Sequence, residues 1–208
     1  MSDIALSVTQ AACERGGRQL FAPVSFDLLA GQAMQIQGDN GAGKTSLLRG
    51  LCGLSPLSQG VVRWCGLSVD QARETFLSDV FFLGHALGLK DELSALENLQ
   101  AAQAIAGRPV STQQATEALS VQGLAGRMHL PLRVLSQGQK RRVALARLQV
   151  SAARLWLLDE PLVALDTAAQ QALTALLQTH LTQGGMLLFT SHQALALADS
   201  VKVLRLQA

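Results

Sequence analysis

One stretch of the chain has the residue types that bind phosphate groups. Its three glycines leave backbone N–H groups free to approach the oxygens of a triphosphate, because no side chain stands in the way. Lys44 can reach the β- and γ-phosphates, and Thr45 can offer its hydroxyl to Mg²⁺. A glycine turn that merely caps a helix explains the Lys-Thr pair less well. We therefore predict a nucleoside triphosphate site built from Gly38, Asp39, Asn40, Gly41, Ala42, Gly43, Lys44, Thr45 and Ser46.

Two further groups of polar residues directly follow apolar runs. Asp159 and Glu160 come after the apolar residues 155–158, and His192 comes shortly after the apolar residues 186–189. Asp159 is placed to hold Mg²⁺ directly or through water, while Glu160 can polarise an attacking water as a general base. His192 can hydrogen-bond the γ-phosphate and hold Glu160 or the water in place. We predict Glu160 and His192 as the catalytic pair.

The elements around these residues predict how they meet. A short alternating strand is predicted at 34–37, and continuous apolar strands are predicted at 80–83, 155–158 and 186–189. Apolar strands that alternate with helical stretches are typical of a parallel sheet covered on both faces. Ligands bind at the carboxyl ends of such strands. Because the glycine-rich loop, the two acids and His192 all follow strands, we expect them to form one site.

Other parts of the chain predict a β layer and a helical insertion. Alternating apolar and polar residues in 1–35 and 60–67 indicate an antiparallel β layer over the nucleotide. Residues 88–135 indicate a small helical insertion between strands of the main sheet. Three helices are predicted to begin at a serine with Glu or Gln three positions later, the pattern of a capping box, at Ser94, Ser111 and Ser136.

Composition narrows the class of protein. The chain has 208 residues, of which 49% are hydrophobic and 15% charged, a net charge of +2 and no Tyr. Since basic residues are scattered, we expect no nucleic-acid partner. No apolar run approaches the roughly 20 residues of a transmembrane helix, and the N-terminus resembles no secretory signal, so a cytoplasmic protein is expected. Cys13, Cys52 and Cys65 are expected to be reduced core thiols.

Residues 135–139, Leu-Ser-Gln-Gly-Gln, resemble the signature motif of ATP-binding-cassette (ABC) ATPases. With the glycine-rich loop, the acids, Asp166 and His192 they give five motifs in the family's order across the whole chain. The resemblance implies one α/β domain over 1–208, a P-loop NTPase of ABC type with a helical subdomain at approximately 88–150. It also implies ATP and Mg²⁺ as cofactors and a head-to-tail dimer. Each ATP would then contact the partner's Ser136, Gln137, Gly138 and Gln139, and Asp166 would lie in a loop against the opposite subunit.

The sequence departs from the family pattern at two positions. The aromatic residue that usually stacks on adenine is absent, and its position falls near Arg15, whose guanidinium can stack on a purine. The Gln that usually follows the strand predicted at 80–83 is replaced by Gly84-His85. A neutral imidazole can accept a hydrogen bond from metal-bound water, so His85 is a further candidate for the Mg²⁺ site.

One subgroup of the family matches further residues. The segments 83–85, 88–90, 93–99 and 137–148 are similar to the ATP-binding subunit of the bacterial cytochrome c maturation system, described as a haem exporter. This resemblance implies an integral membrane partner, a peripheral position on the cytoplasmic face of the inner membrane, and work in haem export or release of a haem-loaded chaperone. No haem site is predicted in this chain. The open alternatives are the ATPase of another small-solute transporter and a soluble ABC ATPase without a transporter.

Overall fold

A computed structural model describes residues 4–193, 195–197 and 201–207 of the chain. The chain divides into two compact units. The first consists of Met1–Gly84, Ala153–Pro161 and Leu177–Ala208, and the second of His85–Ala152 and Leu162–Leu176. Within the described residues, no helix is long and apolar enough to cross a membrane.

The strands are β1 (Ile4–Ala12), β2 (Glu14–Arg15), β3 (Arg18–Gln19), β4 (Val24–Leu29), β5 (Ala33–Gln37), β6 (Gln59–Trp64), β7 (Leu67–Ser68), β8 (Val80–Leu83), β9 (Leu155–Asp159), β10 (Met186–Thr190) and β11 (Lys202–Arg205). The helices are α1 (Lys44–Leu51), α2 (Arg73–Asp79), α3 (Ala95–Ile105), α4 (Thr112–Val121), α5 (Gln137–Gln149) and α6 (Thr167–Thr182), with a short 3₁₀ turn at Leu132–Val134.

A five-stranded parallel sheet forms the centre of the first unit. Its strand order is β11-β5-β10-β9-β8, and every neighbouring pair is parallel. All residues of β9 and β10 are buried, as their uninterrupted apolar sequences predict. Thr190 at the end of β10 lies opposite Asp159 on one side and Ile36 on the other. The carboxyl ends of these strands are therefore aligned, and the predicted α/β fold is confirmed.

An antiparallel sheet of order β4-β1-β6-β7 lies in the same unit. Its inward-facing residues, among them Leu6, Leu28 and Trp64, join one hydrophobic cluster with Leu47 of α1 and Leu157 of β9. The antiparallel layer is confirmed, but its predicted first segment, 1–35, extends too far, because β5 belongs to the parallel sheet. Residues 1–3 of the predicted layer lie outside the described residues.

Helices dominate the second unit. In α3, α4 and α5 the serine before the helix accepts a hydrogen bond from the third helical N–H, and the Glu or Gln there accepts one from the serine N–H. All three predicted capping boxes are confirmed. The helices pack through a cluster that includes Leu99, Leu119 and Val143, each with no exposed surface.

The structure corrects the sequence prediction for one cysteine. Cys13 and Cys52 are buried as expected, and burial raises the pKa of both thiols. Cys65 is exposed instead of lying in the core. It occupies, with Gly66, the two-residue turn between β6 and β7, where both residues have positive φ values of 49° and 85°. Such hairpin turns project from the sheet, so the Cys65 side chain cannot reach the interior.

Candidate nucleotide site

The glycine-rich loop connects β5 to α1 in the first unit. Gly43, the residue before α1, has φ of +90°, a conformation that glycine adopts without strain. A Cβ atom at this position would lie only 2.8 Å from the Phe21 ring, so no other residue fits. No side-chain hydrogen bond caps the first N–H groups of α1 within the described residues. These N–H groups carry the positive end of the helix dipole and suit an anion.

Lys44 is held over this loop. Its Nζ donates to the carbonyl oxygens of Gly38 at 2.7 Å and Asp39 at 3.0 Å. Both acceptors are neutral, and an ammonium group makes shorter, stronger hydrogen bonds to phosphate oxygens than to neutral groups. A bound triphosphate therefore offers Lys44 better partners within the reach of its flexible side chain.

Thr45 and Asp159 are brought into direct contact by α1 and β9. The Thr45 hydroxyl donates to Asp159 Oδ2 at 2.8 Å, and the Thr190 hydroxyl donates to Asp159 Oδ1 at 2.7 Å. Asp159 is 4% exposed. A hydroxyl beside a carboxylate is an oxygen donor set that fits Mg²⁺, which favours few protein ligands together with water and phosphate oxygens. Within the described residues there is no cluster of three or more acidic, His or Cys side chains that would suggest another metal.

Glu160 and His192 also meet in the first unit. The backbone N–H of His192 donates to Glu160 Oε2 at 3.3 Å, and His192 Nε2 lies 3.6 Å from Glu160 Oε1. The Glu160 side chain is 22% exposed and that of His192 is 64% exposed. A carboxylate at the edge of solvent with an imidazole beside it can accept a proton from an attacking water.

These residues surround one cavity of about 280 Å³. Most of its lining was predicted from the sequence, including Arg15 at the expected adenine position. Leu20 lines the cavity without having been predicted, whereas Gly38, Asp39 and Ala42 belong to the loop but do not line it. The lining residues are Arg15, Leu20, Asn40, Gly41, Gly43, Lys44, Thr45, Ser46, Asp159, Glu160 and His192.

The predicted signature residues lie in the second unit. Ser136 caps α5, its hydroxyl accepting from the Gln139 N–H at 3.2 Å, and Gln137 begins the helix. A Cβ atom on Gly138 would lie 3.0 Å from the carbonyl oxygen of Ala164, so this loop needs a glycine opposite it. The sequence pattern alone predicts the cap but gives no reason for the glycine.

Asp166 lies in the same unit and has two roles. Its Oδ1 accepts from the Ala169 N–H at 2.9 Å and so caps α6. Its Oδ2 forms an ion pair with Arg142 of α5. The signature helix and the Asp166 loop are therefore tied together by a charged pair. His85 is an exposed residue of this unit and does not line the cavity described above.

Sequence reasoning missed two residues that organise these regions. Thr190 ends β10, and its hydroxyl forms hydrogen bonds with both acids of the site. A threonine at the end of an apolar strand does not reveal these bonds in the sequence, because the neighbouring strand in the sheet is not known from the sequence. Arg142 was considered only as part of the segment 137–148, and its pairing with Asp166 spans 24 residues of sequence. In both cases the partner becomes visible only through tertiary contacts.

The chain is similar in sequence to known proteins of one family. A sequence profile described as ABC transporter matches residues 21–163. The cytochrome c biogenesis ATP-binding export protein CcmA of Nitrosospira multiformis is 47% identical over 195 residues, covering 94% of each chain.

Solved structures resemble the chain in fold. A putative ABC transporter ATP-binding protein from Pyrococcus furiosus superposes with a TM-score of 0.83 at 22% identity, covering 97% of this chain and 96% of that one. The ATP-binding cassette MJ0796, described as a dimer bound to ADP and Pi in a post-hydrolysis state, superposes with a TM-score of 0.80 at 22% identity, covering 90% of this chain and 88% of that one.

The matched profile and the identity over nearly the full chain establish the family. The cavity lined by a glycine-rich loop, a lysine and two acids is consistent with that family. The fold binds nucleotide, and the family hydrolyses ATP. The chain belongs to the ABC transporter family, among its cytochrome c biogenesis ATP-binding export proteins.

Proposed function

We propose that this chain is the ATP-hydrolysing motor subunit of a membrane complex in c-type cytochrome biogenesis, acting in haem export or in the release of a haem-loaded chaperone. The observation that carries the proposal is 47% identity over 94% of the chain to a cytochrome c biogenesis ATP-binding export protein. The sequence predicts no haem site in the chain itself. The subunit would therefore supply work while another protein handles the haem.

The cavity residues have distinct roles in this proposal. The loop from Gly38 to Ser46 and the open N-terminus of α1 hold the triphosphate, and Lys44 neutralises the β- and γ-phosphates. Thr45 and Asp159 hold Mg²⁺, which supplies positive charge at the phosphate oxygens when bound. Because His85 lies in the other unit, it remains a candidate on sequence grounds only.

Glu160 and His192 act on the water. Glu160 accepts the proton of the water that attacks the γ-phosphate, and His192 orients the carboxylate and contacts the phosphate. The 3.3 Å hydrogen bond from the His192 N–H and the 3.6 Å separation of their side chains support this division of roles. Arg15 at the edge of the cavity is the residue that would contact the adenine.

A second copy of the chain completes the site in this proposal. The two units act as one ABC ATPase domain, and two such domains pair head to tail. The partner's Ser136, Gln137, Gly138 and Gln139 then face the γ-phosphate as a second helix N-terminus, with Asp166 in the loop between subunits. The dimeric form of MJ0796 supports a dimer as the working state.

An integral membrane subunit is the remaining partner. We place the chain on the cytoplasmic face of the bacterial inner membrane, with the helical residues 88–135 contacting that subunit. The second unit exposes the large apolar side chains of Ile105, Val121 and Val134, of which Ile105 is 88% exposed. These exposed side chains support contact with a protein partner.

Replacing Lys44 by Ala in the source bacterium tests the proposal. We expect loss of covalent haem from c-type cytochromes with b-type cytochromes retained, measured by haem staining of membrane proteins and by difference spectra. Lys202→Ala is the matched control, since the Lys202 amine contacts Gln32 away from the cavity. Normal c-type cytochromes in the Lys44→Ala strain would contradict the biological role and leave the ATPase chemistry in place.

A further inference from the structure

A single buried hydroxyl joins the two acids of the nucleotide site. Thr190, at the end of β10, has no exposed surface. Its Oγ1 donates to Asp159 Oδ1 at 2.7 Å and accepts from the Glu160 backbone N–H at 3.0 Å. A hydroxyl has one donor and two acceptor positions, so Thr190 can make both bonds at once.

The first bond fixes the orientation of the Asp159 carboxylate. Oδ1 faces Thr190 and Oδ2 faces Thr45, so each oxygen has a hydroxyl partner on a different element. The plane of the carboxylate cannot rotate without breaking one of these bonds. Because Asp159 is almost fully buried, water offers little replacement for a lost partner.

The second bond holds Glu160 in an unfavourable backbone conformation. Glu160 has φ of +49°, a region that residues other than glycine rarely adopt and that persists only when the surroundings hold it. The Glu160 N–H donates to two acceptors of Thr190, the side-chain Oγ1 at 3.0 Å and the backbone carbonyl oxygen at 3.2 Å. This conformation turns the chain after β9 so that the Glu160 side chain meets the His192 N–H.

We propose that Thr190 is a positioning residue for ATP hydrolysis, whose hydroxyl sets the Asp159 carboxylate and the Glu160 backbone in the geometry needed for turnover. The inference rests on the role of Glu160 given above. Thr190 is not among the residues that line the cavity, and it acts through its two neighbours. Its loss is therefore expected to lower kcat while leaving ATP affinity nearly unchanged.

Three substitutions of Thr190 and one control substitution elsewhere test this on the full-length chain. Thr190→Val keeps the β-branched shape that suits a strand but lacks the hydroxyl, and we expect kcat to fall about 10- to 100-fold with KM for ATP within about twofold. Thr190→Ser, which keeps the hydroxyl, should retain turnover close to that of the original chain, whereas Thr190→Ala should behave like the valine variant. The serine and alanine variants differ by one oxygen atom, so this pair isolates the hydroxyl even where valine impairs folding. Thr174→Val is the matched control, because it removes a hydroxyl bond to the Gln170 carbonyl within α6.

A second readout separates positioning from stability. The Mg²⁺ concentration for half-maximal binding of a fluorescent ATP analogue should rise in Thr190→Val and Thr190→Ala but not in Thr190→Ser or Thr174→Val. A purely structural threonine would lower the melting temperature of the valine variant while kcat per folded chain and the Mg²⁺ titration stayed unchanged, and that result would overturn the proposal.

Glu160→Gln, assayed beside these variants, separates a failure of the positioning role of Thr190 from a failure of the general-base role of Glu160. If it abolishes turnover while Thr190→Val keeps kcat close to that of the original chain, the positioning role of Thr190 is wrong and the role of Glu160 stands. If Glu160→Gln turns over normally, both are wrong.

Discussion

Two helix N-termini of this chain are built in opposite ways. At α1 the preceding residue is Gly43, and no side-chain hydrogen bond caps the helix within the described residues. At α5 the preceding residue is Ser136, whose hydroxyl and backbone N–H exchange hydrogen bonds with Gln139. Within the described residues, the first N-terminus has no side-chain cap, whereas in the second the N–H groups of Ser136 and Gln139 already have side-chain partners.

The difference indicates how each region contributes to ATP binding. Within the described residues, the N-terminus of α1 beside Lys44 has no side-chain cap, so an anion can bind there without displacing one. A capped N-terminus is stable by itself and keeps its shape until another molecule approaches. This arrangement suits a region that contacts ATP bound to a second copy of the chain, which is the role proposed for Ser136 to Gln139.

Replacing Glu160, the proposed general base, should have the largest effect on ATP turnover. We expect Glu160→Gln to lower kcat by roughly 100-fold or more while ATP binding persists, because the amide cannot accept the proton of the attacking water. Phosphate release and equilibrium ATP binding measure the two properties, and gel filtration with ATP should show a trapped dimer. Glu117→Gln, an exposed change on α4, is the control. Near-normal phosphate release would show that Glu160 is not the base.

Replacing the lysine should have the next largest effect. Lys44→Ala removes charge-assisted hydrogen bonds to the phosphates, each worth about 1.5–3 kcal/mol, so ATP affinity should fall at least tenfold. Titration calorimetry measures this directly, with Lys202→Ala as the control. Unchanged affinity would mean that the open N-terminus alone binds the triphosphate.

The three capping boxes allow a matched test of the second region. Ser94→Ala, Ser111→Ala and Ser136→Ala each remove the same type of cap, so each should cost about 1 kcal/mol of stability. Only Ser136→Ala should also lower ATP turnover, because only that helix is proposed to face nucleotide. Chemical denaturation and phosphate release, measured on all three variants, decide the point. Equal turnover in the three would remove Ser136 from the site.

The smallest predicted effect is a pH dependence of stability, and it distinguishes the capping box that contains Glu97 from the two that contain Gln. Hydrogen bonds from the backbone N–H and then the hydroxyl of Ser94 lower the pKa of the Glu97 carboxyl below its usual 4.5. A depressed pKa means that this stabilisation is present above pH 4.5 and is lost as pH falls through the lowered value. The Gln114 and Gln139 boxes contain no titratable group.

The melting-temperature difference between the original chain and Ser94→Ala should therefore shrink between pH 7 and acidic pH. The corresponding difference for Ser111→Ala should stay constant over the same range. Thermal melting in buffers matched for ionic strength measures both, and parallel behaviour of the two variants would contradict the assignment.

The sequence was sufficient for features with local causes. The caps at Ser94, Ser111 and Ser136 depend on residues three positions apart, and the strands β9 and β10 are apolar up to their last residue, so both kinds of element could be recognised. The helix α2 and the strand β11 were not predicted. In α2 only Phe76 is buried, and β11 is mostly exposed, so neither presents a clear apolar pattern.

Features that depend on distant residues could not be predicted in the same way. Thr190 acquires its role from Asp159, which lies 31 residues away in the sequence and opposite it in the sheet. The steric need for Gly138 comes from the Ala164 carbonyl, and the Arg142 pair comes from Asp166. The glycine-rich loop was the exception, because strand, loop and helix are consecutive and its chemistry is contained in one segment.

The central claim is that an open N-terminus of one chain and a capped N-terminus of another form one ATP site. Mixing Lys44→Ala with Ser136→Ala tests it most directly, since in a mixed dimer one site has both defects and the other has none. We predict that the mixture hydrolyses more ATP per chain than either variant alone, with a maximum near equal amounts. Turnover that stays at the average of the two variants at every ratio would contradict the claim and place both groups within a single chain.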